Sequence, residues 1–72
     1  MKKSKYDVRK TIEVEDYGKI TASASTLNSI SIILMEAAKL NRMQGLNETA
    51  NLMERQSKQI YNDLAKTGFY RD

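Results

Sequence analysis

The chain of 72 residues contains no cysteine, histidine, proline or tryptophan. Without cysteine it can form neither a disulfide nor a thiolate metal site. Without histidine it lacks the commonest general base and the commonest metal ligand. Its three glycines are isolated from one another and provide no phosphate-binding loop. We therefore expect no catalytic residue, no metal site and no cofactor, and we interpret the chain as a protein that is not an enzyme.

The sequence also lacks a long apolar run. Its longest one, Ile32–Met35, is far shorter than the roughly 20 residues that span a bilayer. The basic start is not followed by the apolar stretch of a signal peptide. An absence of cysteine fits a reducing compartment. We predict a cytoplasmic protein with no membrane partner.

Positive charge is concentrated at the start of the chain. The net charge is +3, and five of the first ten residues are basic while one is acidic. We expect residues 1–5 to be a flexible basic arm and residues 6–72 to be a single small domain. The basic side chains with which the chain would contact an anion or a nucleic acid are Lys2, Lys3, Lys5, Arg9, Lys10 and Lys19.

Residues 6–15 and 19–25 alternate between apolar and polar side chains, which predicts two half-buried strands. The intervening Asp16–Gly18 predicts a three-residue hairpin loop. The predicted register pairs Glu15 with Lys19 and Val14 with Ile20. Lys10 shares the parity of the apolar strand residues. We interpret it as an edge lysine with a packed stem, or as a lysine directed into a pocket for an anionic ligand.

Two amphipathic segments, residues 26–44 and 47–67, predict helices. Gly45 and Gly68 are expected to end them in the left-handed conformation, with Leu46 and Phe69 folding back onto the preceding helix. The side chains expected to cap the helix starts are Ser25 or Thr26 and Asn47. The short connection implies a helical hairpin. The predicted fold is therefore α+β, an N-terminal β-hairpin followed by an antiparallel two-helix hairpin (ββαα).

The first helix has more apolar surface than a chain of this size can easily bury. Its predicted core face consists of Leu27, Ile30, Ile33, Leu34, Ala37, Ala38 and Leu40. A second apolar stripe on the first helix and an isolated leucine on the second are left over. Surplus apolar surface of this kind indicates an interface, so we predict a homo-oligomer, a dimer or higher. Its interface residues would be Ile32, Met35, Met43 and Leu52.

These observations lead to one main functional hypothesis and two alternatives. The main hypothesis is a small interaction protein, regulatory or inhibitory, that acts as a homo-oligomer and binds a macromolecular partner, most simply another protein. The first alternative is a regulator that binds nucleic acid. The second is sequestration of a small anionic or nucleotide ligand between subunits, through basic residues such as Arg9 and Lys10.

The DNA-binding alternative depends on the order strand, helix, glycine turn and helix over residues 19–66. This stretch resembles the ribbon-helix-helix repressors. The resemblance implies a dimer whose strand enters the major groove, with Lys19, Thr21 and Ser23 reading bases. It also implies that the helix after Gly45–Asn47 starts near a phosphate. The sequence differs from the family pattern in that another strand precedes residues 19–25 and Glu48 lies at that helix start.

Overall fold

The computed structural model describes residues 4–71, in the order β1 (Arg9–Val14), β2 (Gly18–Ser23), α1 (Ala24–Met43) and α2 (Asn47–Lys66). The two strands are antiparallel and form one sheet, and the two helices follow them. The predicted α+β, ββαα fold is therefore confirmed. Within the described residues, no helix combines the length and the apolar character needed to cross a membrane.

The β-hairpin forms as predicted, but its register differs from the predicted one by two residues. Val14 pairs with Gly18 and Ile12 pairs with Ile20. The turn closes earlier because the Tyr17 N–H donates to the Val14 carbonyl over 3.1 Å. Asp16 takes a positive φ of 62° there, which aspartate tolerates better than most residues. A shift by an even number leaves every side chain on its predicted face.

The predicted caps at the helix starts are wrong. Ser23 caps α1, and its Oγ accepts from the Thr26 N–H over 3.2 Å. The helix therefore begins before the predicted Ser25 or Thr26. The N-cap of α2 is Leu46, which makes no side-chain cap bond, and Asn47 is already helical. The connection is too short for a separate polar cap, because the Leu46 N–H also donates to the Asn41 carbonyl that ends α1.

Both predicted glycine stops are confirmed, and both have the same geometry. Gly45 and Gly68 have φ of 81° and 82°. The residue after each glycine donates its N–H six residues back, from Leu46 to Asn41 and from Phe69 to Leu64. This is the Schellman arrangement, which satisfies carbonyls left open at the end of a helix. Phe69 thereby enters the core next to Leu64.

The core lies at one end of the molecule, where the sheet covers the open end of the helical hairpin. Its buried residues are Ile12, Val14, Ala24, Leu27, Ile60, Leu64 and Phe69. Each helix has 20 residues and is about 30 Å long, so the hairpin extends past the sheet. The whole molecule measures 49 × 24 × 16 Å. We call the part of the helical hairpin beyond the sheet, residues 37–53, the distal arm.

Candidate functional site

Helix α1 is rotated relative to the prediction. Leu27, Ser31 and Ala38 are buried along one line, whereas Ile33 and Leu40 are 65% and 60% exposed. The assignment of Ile33 and Leu40 to the core is therefore wrong. Amphipathic periodicity selects the widest apolar arc, but α1 instead presents small side chains to α2. The buried line lies between the two apolar stripes and leaves both of them on the flanks of the helix.

A pair of serines fixes this rotation. The Ser57 Oγ donates to the Ser31 carbonyl over 2.8 Å, and the Ser31 Oγ lies 3.0 Å from both the Ser57 carbonyl and the Ser57 Oγ. Ser31 and Ser57 are 5% and 3% exposed. A buried hydroxyl is costly unless it is hydrogen-bonded, so any other rotation of α1 would lose these bonds. Ala38 and Ala50 are fully buried further along the pair, and such small side chains allow the helices to approach closely.

One flank of α1 continues into a groove beside the sheet. We call Ile30, Ile33, Ala37 and Leu40 the sheet-side stripe. Ile30 and Leu34 line a groove of about 260 Å³ together with residues of the hairpin. Those hairpin residues are Val14, Tyr17 and Ile20, and Gln56 of α2 completes the groove. The sheet-side stripe and this groove form one apolar surface that the sequence interpretation placed largely in the core.

The other flank contains most of the predicted interface. Ile32 and Met43 are 57% and 83% exposed, and Met35 is half-buried. Ile32 and Met35 line a groove of about 470 Å³ with Tyr61 of α2, and we call this flank the tyrosine-side stripe. Leu52 is half-buried. It lies nine residues from Tyr61 and thus on the opposite face of α2, so the structure does not bring it to the other three.

The structure brings three of the six predicted basic contacts together. Lys5, Arg9 and Lys10 line one pocket of about 190 Å³ at the sheet end of the molecule. Lys19 is exposed on the outer face of the sheet, paired with Glu13. Lys2 and Lys3 lie outside the described residues. Lys5, predicted to belong to the arm, donates through Nζ to the Arg71 carbonyl.

The outer face of the sheet is the surface that the ribbon-helix-helix resemblance assigned to base reading. Lys19 and Thr21 are exposed there. The Thr21 hydroxyl lies 2.7 Å from the Thr11 hydroxyl of the neighbouring strand. The Ser23 hydroxyl is the α1 cap. Two of the three implied readers therefore have intramolecular partners for their hydroxyl groups.

An ion pair that the sequence did not reveal attaches the hairpin turn to α2. The Arg55 guanidinium donates from Nε and Nη2 to the two Glu15 carboxylate oxygens, each over 2.9 Å. The Glu15 backbone is also held, because its N–H donates to Gln59 Oε1 and its carbonyl accepts from Gln56 Nε2. The hydrogen bonds from Arg55 lower the pKa of the Glu15 carboxyl. The predicted partner of Glu15 was Lys19, and no local pattern indicated a residue forty positions away.

No family model, no curated protein and no solved structure matches the chain. Across residues 4–71, no cluster of three or more histidine, cysteine, aspartate or glutamate side chains is arranged to hold a metal ion. Two local features carry chemistry that other molecules can recognise. They are the exposed apolar flanks of α1 and the basic pocket at the sheet end.

Proposed function

We propose that this chain is a non-catalytic interaction protein that acts as a homodimer and regulates or inhibits a macromolecular partner. The observation that carries the proposal is the exposure of Ile33 and Leu40, at 65% and 60%, on the sheet-side stripe. Such residues scattered singly are ordinary, but a contiguous apolar surface marks an interaction site. Here the stripe continues into an apolar groove, so the surface is contiguous.

The spacing of the sheet-side stripe favours a second copy of the chain as its occupant. Its residues follow one another at intervals of three, four and three positions, the seam pattern of paired helices. The pattern is symmetric, so an antiparallel copy places Ile30 opposite Leu40 of the partner subunit. The same arrangement places the bulky Ile33 opposite the small Ala37 of the partner subunit. Alternation of large and small side chains lets two such surfaces interdigitate.

The groove beside Ile30 strengthens this choice of occupant. In the antiparallel arrangement Leu40 of the partner subunit meets Ile30, which forms one wall of the groove. The contact occurs twice because a two-fold interface is isologous. A parallel copy would set Ile33 against itself and Ala37 against itself, which crowds one level of the seam and leaves a gap at the other. The antiparallel dimer therefore buries more apolar surface.

Adjacent isoleucines provide a matched test of the interface. Ile33→Glu places a charge in the proposed seam, and we expect it to weaken dimerisation about 100-fold or more, since a buried unpaired charge is strongly destabilising. Ile32→Glu makes the same change on the tyrosine-side stripe and should leave the dimer intact. Sedimentation equilibrium at micromolar concentration measures both, and circular dichroism confirms that both variants fold.

The outcomes separate the two flanks. A dimer lost in Ile33→Glu and kept in Ile32→Glu supports the sheet-side interface. Loss in Ile32→Glu alone would transfer the interface to the tyrosine-side stripe with Met35 and Met43, contrary to the proposal. A wild-type chain that is monomeric throughout the concentration range would overturn the proposal itself.

The absence of cysteine allows the orientation to be tested by cross-linking. In an antiparallel pair, Leu40 and Leu40 of the partner subunit are ten residues apart along the seam, about 15 Å. A disulfide requires Cα atoms within about 7 Å. Leu40→Cys should therefore not cross-link with itself, whereas Glu36→Cys, close to the two-fold axis, should. Efficient oxidation of Leu40→Cys would indicate a parallel pair.

A further inference from the structure

The pocket at the sheet end lies between the start of β1 and the end of α2. It measures about 190 Å³, and its lining residues are Lys5, Val8, Arg9, Lys10, Ala24, Thr67 and Phe69. Three of these are cations, and none of them is an acid. The pocket is separate from the sheet-side stripe, with which it shares no lining residue.

Lys10 occupies a position that the alternation of β1 assigns to the core side. It pairs with Ala22 and has the same parity as the buried Ile12 and Val14. Its side chain is half-buried. Bringing an ammonium group out of water is costly unless a counter-charge accompanies it. An anion bound in the pocket would supply that charge.

The neighbouring cation is held in place by the end of the chain. Lys5 Nζ donates to the Arg71 carbonyl and lies 5.4 Å from the centre of the Tyr6 ring. An ammonium group has three donors, so Lys5 can still donate to a ligand. Tyr6 in turn packs edge-on against Phe69, with ring centroids 5.5 Å apart. Lys5 is thus positioned on the rim by contacts with both termini of the described chain.

The apolar lining restricts the ligand to more than a bare ion. Val8, Ala24 and Phe69 contribute carbon surface, and Phe69 belongs to the hydrophobic core. The volume is smaller than the roughly 300–1,000 Å³ of most small-molecule sites, so the ligand must be compact. Backbone donors contribute little, because the Ala24 and Ser25 N–H groups already donate to the Val8 and Tyr6 carbonyls. Recognition therefore falls to side chains.

We infer that this pocket binds a small organic anion, a phosphate ester that carries a compact apolar group. The phosphate would contact Lys5, Arg9 and Lys10, and the apolar group would lie against Val8 and Phe69. Charge-assisted hydrogen bonds from several donors are the usual way to hold a phosphate. The site is complete within one chain and does not depend on the proposed dimer.

Phenyl phosphate is a suitable probe, and the amide NMR spectrum of the full chain is a suitable readout. We expect saturable shifts of the Val8, Lys10, Ala24 and Phe69 amides. Inorganic phosphate lacks the apolar group and benzyl alcohol lacks the charge, so each should bind at least about tenfold more weakly. Lys10→Met keeps an apolar stem of similar length and should weaken phenyl phosphate binding about tenfold.

Lys19→Met is the matched control, since it removes one lysine from the same sheet at a position outside the pocket. Unchanged binding in Lys19→Met together with weaker binding in Lys10→Met supports the site. Equal losses in both variants would reduce it to general charge attraction and overturn it. Equal affinity for inorganic phosphate and phenyl phosphate would contradict the role of the apolar lining. A single-stranded oligonucleotide that binds through Lys10 while phenyl phosphate does not would assign the pocket to nucleic acid, contrary to the inference.

Discussion

The sheet end and the distal arm of the helical hairpin differ in what they bury. At the sheet end the side chains of Ile12, Leu27, Ile60 and Leu64 are almost completely removed from water. In the distal arm the buried residues are Ala38 and Ala50, while Leu40 and Met43 are exposed. Burial of large apolar side chains is the main source of stability. The sheet end therefore stabilises the fold, and the arm displays apolar side chains to other molecules.

Truncation of one large side chain at each end should break this comparison most clearly. Ile60→Ala removes a fully buried side chain and should lower the free energy of unfolding by about 2–5 kcal/mol. Leu40→Ala removes an exposed one and should change it by about 0.5 kcal/mol or less. Urea titrations followed by circular dichroism measure both, in an Ile33→Glu background so that self-association does not contribute. A comparable loss in Leu40→Ala would mean that the arm has a core of its own.

The same comparison explains how much of the fold could be predicted from the sequence. Strand alternation and the helix stops at Gly45 and Gly68 are local signals, so the element order and both helix ends were predictable. The rotation of α1 was not, because it depends on hydrogen bonds between Ser31 and Ser57, 26 residues apart. Small residues at a helix contact give almost no signal in an apolar moment.

The register and the basic pocket have a similar explanation. The hairpin closes two residues earlier than predicted, and its turn residue Glu15 is bound by α2 through Arg55, which no strand pattern records. The sequence indicated Lys10 as unusual because of its parity. It could not show that Lys5 lies beside Lys10, since that proximity depends on the contact between Lys5 and Arg71. Local patterns thus identified the residues, and tertiary contacts determined which of them meet.

The two Schellman glycines test the comparison at equal chemical cost. A Cβ at Gly45 or Gly68 would meet no atom within 4 Å, so alanine there introduces only the penalty of a positive φ, about 1–2 kcal/mol. In Gly68→Ala the penalty should lower global stability, because Phe69 and Leu64 belong to the core. In Gly45→Ala it should appear mainly as faster amide exchange in the distal arm.

Gln44→Ala is the control for the glycine pair. Gln44 precedes Gly45 and has an ordinary φ of −91°, so its replacement should leave both global stability and amide exchange nearly unchanged. Hydrogen exchange read residue by residue separates the local effect from the global one. Equal global destabilisation by Gly45→Ala and Gly68→Ala would show that the arm and the sheet end unfold as one unit.

The serine pair lies between the two regions and tests what sets the rotation of α1. Ser57→Ala removes the hydroxyl that donates to the Ser31 carbonyl and should cost about 1 kcal/mol of unfolding free energy. Ser29→Ala, on the exposed side of the same helical pair, should cost about 0.5 kcal/mol or less. A double-mutant cycle with Ser31→Ala measures the coupling. Additive losses would mean that helix packing alone sets the rotation.

The smallest expected effect concerns the ion pair that joins the hairpin turn to α2, and it depends on pH. The hydrogen bond from Arg55 lowers the pKa of the Glu15 carboxyl from its ordinary value of 4.5. The folded state therefore binds this proton less readily than the unfolded state, so the pair stabilises the fold above that value and the contribution is lost as the pH falls through the lowered pKa. Both side chains are partly exposed, which keeps the effect small and sensitive to salt. Glu15→Gln should accordingly be slightly less stable than wild type at pH 7 and low salt, and the two should converge in acid or at high salt. Glu13→Gln, the same change on the outer face of β1, should not reproduce the pH dependence. A Glu15→Gln difference that persisted unchanged at pH 3 would show that the backbone bonds to Gln56 and Gln59 hold the turn without the ion pair.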